Sequence, residues 1–231
     1  MIEYFNEDCM VGMARYPDKH FDLAIVDPPY GIGAEGGFGK WGSLKFRQTD
    51  KKWDNGTPDH NYFLELSRVS KVQIVWGGNY FNLPPSRCFI VWDKGAGMRG
   101  RTYAEAEQAW CSLDANSKIF TYDALASGDY KGRIHPTQKP VALYKWLLRN
   151  YAKQGDKILD THVGSASSLI ACHDMGFDAV GFELDPDYYK ASKQRLDDFM
   201  AQPRLDEAIK EKRSQIQIEL SKDDLTKEVE K

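Results

Sequence analysis

Asp27-Pro28-Pro29-Tyr30 follows directly on the apolar run Leu23-Ala24-Ile25-Val26. In an open parallel sheet, ligands bind outside the carboxyl ends of the strands, which is where this tetrapeptide is expected. Two prolines fix φ and remove two N–H donors, so the turn is stiff and its carbonyls are left as acceptors. A carboxylate, a carbonyl and an aromatic ring held on one rigid turn suit a planar base carrying an exocyclic amino group. Asp27 and the Pro28 carbonyl each accept one N–H, and Tyr30 stacks on the ring. An aromatic amine is a poor nucleophile because its lone pair is delocalised into the ring. Two acceptors that bind both hydrogens favour a pyramidal nitrogen whose lone pair can attack an electrophile. Such catalysis is orientation plus stabilisation of developing positive charge, with no covalent intermediate. Read alone, the tetrapeptide is equally a turn that merely ends a strand.

A second constellation lies downstream. Residues 158–168, ILDTHVGSASS, read as a strand, a turn of small residues and a helix start, the arrangement that lets a ligand approach backbone at a helix N-terminus. Gly164 is the only glycine in that stretch, so the fingerprint of a nicotinamide dehydrogenase is missing. Glu183 follows Asp160 by 23 residues (183 − 160), at the end of the next strand, where an acid grips the two hydroxyls of a ribose. By itself Glu183 is also a solvated strand end.

The elements that must carry these residues are legible as short apolar runs: Phe21 to Asp27, Val72 to Gly77, Cys88 to Asp93, Lys157 to Asp160 and Asp178 to Glu183. Near-continuous apolar runs mark buried parallel strands. Helical spacing appears over 141–152, over 167–175 with Gly176 as the stop, and from Pro186 to about 202 with Asp185 as N-cap. Alternating strands and helices predict an α/β domain with a mostly parallel sheet. Residues 31–58 read as a long glycine-rich loop with two tryptophans and the cations Lys40, Lys45, Arg47, Lys51 and Lys52. Beyond Pro203 the chain turns charged, with Leu205, Ile209, Ile216 and Leu220 at roughly helical spacing, which predicts a surface helix and tail over 203–231.

Composition sets the outer bounds. The 231 residues are 42% hydrophobic and 13% aromatic, enough for a substantial core, and the net charge of −3 does not announce a nucleic-acid binder. No apolar run is long enough to span a bilayer, and the acidic start carries no signal-peptide pattern, so a cytoplasmic, membrane-free protein is expected. Cys9, Cys88, Cys111 and Cys172 form no CxxC pair, which argues against a disulfide framework or zinc ribbon and for a reducing compartment. No metal site is expected.

Five segments together resemble the amino-group DNA methyltransferases, in the permuted group whose catalytic motif precedes the cofactor motif. They are DPPYG at 27–31, GGNYF at 77–81, HPTQKPVALYKWLL at 135–148, LDTHVGSASS at 159–168 and GFELDPDYY at 181–189. The resemblance spans roughly residues 3 to 200, in the family's order. It implies the Rossmann-like sheet of S-adenosylmethionine-dependent methyltransferases, residues 1–202 as the methyltransferase domain, and a small target-recognition insertion within about 31–134. The cofactor implied is S-adenosyl-L-methionine. Asp27, Pro28, Pro29 and Tyr30 would bind and activate the target amine, with Asp27 also bordering the cofactor. Asp160, Thr161, Gly164 and Ser165 would line its methionine part, Glu183 its ribose, Asp8 and Cys9 its adenine, while Thr137 and Lys139 would close the pocket. Two departures stand out: Thr161-His162 replaces the usual Pro-Phe, and Ala166 stands where a glycine is usual.

In this family DPPY leans towards N6 of adenine, with serine first more often in enzymes acting on N4 of cytosine. A rigid turn also implies base flipping if the substrate is duplex. No cysteine follows a proline, so a C5-cytosine mechanism fails. Arg99 and Arg101, with Lys94 and the cations of the 31–58 loop, are the candidate DNA contacts. The small recognition region implies a short target or a second subunit sharing the DNA, so a homodimer and a companion restriction endonuclease are open partner expectations beside DNA. Action on RNA or on a protein glutamine, and a catalytically silent binding protein, remain the other readings.

Overall fold

A computed structural model of the chain describes residues 1–33 and 53–202. The expected loop cations Lys40, Lys45, Arg47, Lys51 and Lys52, and the expected helix beyond Pro203, lie outside the described residues. Eight strands form one sheet: β1 (Ile2–Phe5), β2 (Phe21–Val26), β3 (Ser70–Trp76), β4 (Phe89–Asp93), β5 (Ala106–Cys111), β6 (Lys118–Thr121), β7 (Lys157–Asp160) and β8 (Asp178–Phe182). Their order across the sheet is β1-β8-β7-β2-β3-β5-β4-β6. All pairings are parallel except those that β5 makes with β3 and β4. One reversed strand thus interrupts an otherwise parallel sheet.

The five expected strands are all present, and the three additional ones were hard to read for physical reasons. β1 and β6 are four-residue edge strands, and β6 is mostly exposed, so neither has an apolar run to announce it. β5, Ala-Glu-Gln-Ala-Trp-Cys, carries two polar residues in a row and lacks the apolar continuity of its neighbours.

The helices are α1 (Cys9–Met13), α2 (His60–Val69), α3 (Val141–Tyr151), α4 (Ser167–Met175) and α5 (Pro186–Met200). Side-chain caps start three of them. The carboxylate of Asp8 accepts the Met10 N–H at 2.7 Å, Asp59 accepts that of Tyr62 at 3.1 Å, and Asp185 accepts those of Asp187 and Tyr188 at 2.9 and 3.0 Å. Adjacent residues of β8 show how helices cover both faces of the sheet. A methyl placed on Gly181 would meet Val163 and Leu169 of the α4 side at 2.6 and 3.0 Å. The next residue, Phe182, lies against Gly12 of α1, where an added methyl would meet its ring at 2.4 Å. The α1 and α2 side holds a core of Met13, Phe21, Val26, Tyr62, Leu66 and Phe182, among others.

The chain divides into two compact units, Met1–Leu196 and Asp197–Lys231, so the division falls within α5. Of the second unit, residues 197–202 are described and include the helix end. Among the described residues no helix is long and apolar enough to cross a membrane.

Helix α4 begins on Ala166, a buried residue in the left-handed region at φ 61° and ψ 20°. A Cβ there crowds the backbone, at a cost of roughly 1–2 kcal/mol. Replacing it with glycine, Ala166→Gly, is expected to raise stability by about 1 kcal/mol, read as a higher urea midpoint with unchanged slope. A lowered midpoint would contradict the strain.

Candidate active site

Register brings three carboxylates to one end of the sheet. Ala24 of β2 faces Leu159 of β7, and Asp160 of β7 faces Gly181 of β8. Asp160 therefore closes the middle strand while Asp27 and Glu183 sit just past the ends of its two neighbours. Strands about 4.8 Å apart place the outer pair about 10 Å from each other across the middle one. Burial pushes the Asp160 carboxyl up to about 7, and the charges of Asp27 and Glu183 add to that rise. Hydrogen bonds from Ser168 and the His162 N–H work against it.

The Asp27–Tyr30 turn is gripped from several sides. Asp54 is buried, and its carboxylate accepts the backbone N–H groups of Tyr30 at 2.7 Å, Gly31 at 2.8 Å and Ile32 at 3.3 Å. Three successive N–H groups closing on one anion form a backbone nest. The Tyr30 hydroxyl donates to Asp27 Oδ1, and its ring stacks on Tyr80 at 4.9 Å with 13° between the planes. Gly77, at φ 68°, is required here, because a Cβ would come within 2.2 Å of the Tyr30 ring. Tyr80 remains 46% exposed, and beside it a cleft of about 550 Å³ opens between Thr57, His60, Phe63 and Phe81.

Lys139 lies on this turn. Only 4% exposed, it ion-pairs with Asp27 Oδ2 and with Glu107 Oε2 at 3.2 Å. Burial alone would lower its pKa, but the two carboxylates more than offset that and raise it. Its ammonium also sits 5.4 Å from the Trp76 ring centroid and 5.9 Å from that of Tyr30. Glu107 in turn pairs with Lys94 at 2.6 Å. Against the upward push of burial, the two ammonium groups hold the Glu107 carboxyl down at about 2.

The second turn is internally bonded. Glu183 accepts the N–H of Gly164 and that of Asp185, each at 2.9 Å. The buried Thr161 hydroxyl bonds the Tyr62 hydroxyl at 2.6 Å and His162 Nδ1 at 2.9 Å. Ser165 and Ser167 hydroxyls meet at 3.1 Å. Burial pushes His162 down to about 4, so the residue that departs from the family pattern is neutral at ordinary pH. His135 packs against Tyr188, with ring centroids 4.4 Å apart, and its Nδ1 pairs with the Thr137 hydroxyl at 3.1 Å. Asp8 caps α1, and Cys9, the first residue of that helix, is half-buried with its thiol pushed up to about 12 by burial.

Asp27, Tyr30 and Lys139 are thus one cluster, and Asp160, Thr161, Gly164, Ser165 and Glu183 another beside it. Thr137 turns to His135 instead of joining Lys139. Arg99 and Arg101 are exposed, Arg99 lying 3.7 Å from Asp93. Lys94 departs from its expected place on the DNA side: its side chain is largely buried in the Glu107 pair. Sequence reasoning also missed Asp54, Glu107 and Leu184. A charged residue inside a strand was the available signal for Glu107. Leu184, 67% exposed beside Glu183, is an apolar side chain left facing solvent, and Asp54 carried no local signal at all.

Comparison with known proteins agrees with this geometry. The DNA methylase family of the N6/N4 class matches residues 91–194. The type II methyltransferase M.HpaI of Haemophilus parainfluenzae is 35% identical over 236 residues, covering 84% of this chain and 74% of that protein. YubD of Escherichia coli (strain K12) is 25% identical over 208 residues, covering 85% and 90%. Among solved structures, the M1.HpyAVI–SAM complex superposes with a TM-score of 0.55 at 17% identity, covering 84% of this chain and 100% of that one. PvuII DNA methyltransferase, described as cytosine-N4-specific, gives 0.53 at 14% identity, covering 86% and 90%. These two show the shared fold, that of S-adenosylmethionine-dependent methyltransferases. By its extent of identity with M.HpaI and its match to the N6/N4 class, the chain belongs to the amino-group DNA methyltransferases, which act on N6 of adenine or N4 of cytosine.

Proposed function

We propose that this protein transfers a methyl group from S-adenosyl-L-methionine to the N6 amino group of adenine in DNA, and that residues 1–202 carry the activity. The observation that carries this reading is the placement of Asp27, on its rigid Pro-Pro turn, next to Asp160 and Glu183 at one end of the sheet. The DPPY tetrapeptide supports adenine as the base, since an acid leads it.

The donor set suits the cofactor. Glu183 is an acceptor-only group, fitted to a ribose diol, and the exposed Leu184 beside it offers an apolar face to a purine. Asp160 matches a cationic ammonium, and the small residues at 164–166 let a ligand approach the start of α4. Asp8 and Cys9 would border the adenine, with Thr161 and Ser165 shaping the methionine end. When bound, the cofactor supplies a methyl group on a sulfonium, an electrophile with a neutral thioether as leaving group.

The chain's own residues orient the nucleophile. Each Asp27 oxygen already holds one partner, Tyr30 or Lys139, and keeps a second lone pair. One of these accepts an amine N–H while the Pro28 carbonyl accepts the other. With the cofactor bound, its methyl group would pass to that nitrogen, and the Asp27 carboxylate would lie against the positive charge there until the amine proton passes to solvent water. Tyr30, locked by Asp54, Gly77 and Tyr80, limits the positions a flipped base can take. The exposed Arg99 and Arg101 would meet phosphates.

Incubation with unmethylated DNA and isotope-labelled S-adenosylmethionine, followed by digestion to nucleosides and mass spectrometry, tests the reading. Label in N6-methyladenine is expected. Label in N4-methylcytosine would keep the mechanism and move the target, and absence of label despite cofactor binding would favour a silent binding protein. Asp27→Ala should abolish transfer while calorimetry shows cofactor affinity largely retained; equal loss of both would sink that division of roles. Asp54→Ala removes the acceptor of three backbone N–H groups. It should lower stability by about 1–3 kcal/mol and slow transfer at least about tenfold, with cofactor affinity little changed.

The raised pKa of Asp160 gives a signed pH dependence. Its folded value, about 7, exceeds the ordinary carboxylate value, so the neutral form is favoured by folding. Its contribution to stability is full below about pH 4 and is lost as pH rises through about 7. A cationic cofactor prefers the ionised form, so binding should release a proton near pH 6–7 and tighten as pH rises from 6 to 8. Calorimetry in buffers of different ionisation enthalpy reads both, and a pH-independent affinity without proton release would contradict the contact.

A further inference from the structure

The reversed strand β5 has a consequence for charge at the site. Running against its neighbours, it delivers its first residues to the end of the sheet where the parallel strands finish, so Glu107 arrives at the level of the Asp27 turn. β4 ends there too and supplies Lys94, while the loop before α3 supplies Lys139. Lys139 bridges Asp27 and Glu107, and Glu107 bridges Lys139 and Lys94, the last two contacts measuring 3.2 and 2.6 Å. The four groups form a chain of alternating sign, Asp27–Lys139–Glu107–Lys94, whose formal charges cancel.

We propose that Glu107 is a positioning residue for methyl transfer, cancelling the charge of Lys94 so that Lys139 and Asp27 stay a balanced pair and Asp27 can accept the target amine. This inference rests on the reaction proposed above. In that reaction a positive charge passes from sulfur to the amine nitrogen beside Asp27. Without Glu107 the cluster would carry one surplus positive charge in a largely water-excluded place, opposing the charge that develops. The charge moves towards the cluster during the step, so the penalty grows between the bound state and the transition state. The rate should therefore suffer more than cofactor affinity.

The test is single-turnover transfer to unmethylated plasmid DNA at saturating labelled S-adenosylmethionine, with cofactor affinity by calorimetry and folding by circular dichroism. Glu107→Gln should slow the step about 10- to 100-fold while cofactor affinity changes by less than about fivefold. Removing the surplus charge with a second substitution, Lys94→Gln in the Glu107→Gln background, should recover the rate to within about threefold of wild type. A merely structural glutamate would instead lower the folded fraction by circular dichroism in step with the rate.

An undiminished rate in Glu107→Gln overturns the positioning role, as does a slow, folded double variant. Should Glu107→Gln fail to fold, the double variant decides alone, supporting the role if active and overturning it if folded and slow. Wild type run alongside separates the two ideas. Absence of label in wild type overturns the reaction and the inference with it, whereas label in wild type with an undiminished Glu107→Gln rate overturns only the role of Glu107.

Discussion

An ammonium group taken out of water must be paired, and Lys139 meets that constraint at the centre of this site. It is 4% exposed, and the carboxylates of Asp27 and Glu107 offset its loss of hydration. Much of the surrounding arrangement follows from that pairing. Asp27 is held at a fixed place and orientation, Tyr30 bonds its other oxygen, and Glu107 ties the turn after β2 to the reversed strand β5. Strand ends that share no hydrogen bonds along the backbone are joined through side-chain charge.

The two halves of the site are built by different means. The Asp27–Tyr30 turn is braced from outside by Asp54, by the Tyr80 ring and by Lys139, and its prolines leave little backbone freedom. The second turn holds itself. Glu183 binds the backbone of Gly164, Thr161 is tied to Tyr62, and Ala166 accepts a left-handed backbone to begin α4. Backbone strain of this kind is found where a chain must present itself to a ligand. His162 occupies a position where the family usually has an aromatic ring and behaves as one, neutral and edge-on to Tyr62 at 5.4 Å between centroids.

Much of this was legible before any coordinates. The five strong strands and helices α3, α4 and α5 were marked by apolar continuity, helical spacing, the Asp185 cap and the Gly176 stop, all local signals. β1, β5, β6 and α1 were not, because short edge strands, a polar strand and a five-residue helix have little periodicity to read, whereas α2 does carry a helical period in Tyr62, Leu66 and Val69 that went unread. The same distinction runs through the site. Asp27 and Glu183 stand at strand ends within recognisable motifs, whereas Asp54 and Glu107 lie far from the Asp27–Tyr30 turn in sequence and in no motif that points to it.

By itself the sequence determined the class of fold, the order of the Asp27–Tyr30 turn and the turn after Asp160, and which side chains end the central strands. These follow from residue type and period, which act over a few neighbouring positions. Only the tertiary structure decided the partners. It joined Asp27, Lys139, Glu107 and Lys94 in one chain of ion pairs and closed Asp54 on three backbone N–H groups. Such contacts depend on strand order and on one strand running backwards, which sets residues distant along the chain at the same end of the sheet. Local pattern carries no record of that order, because it is set by how whole elements pack.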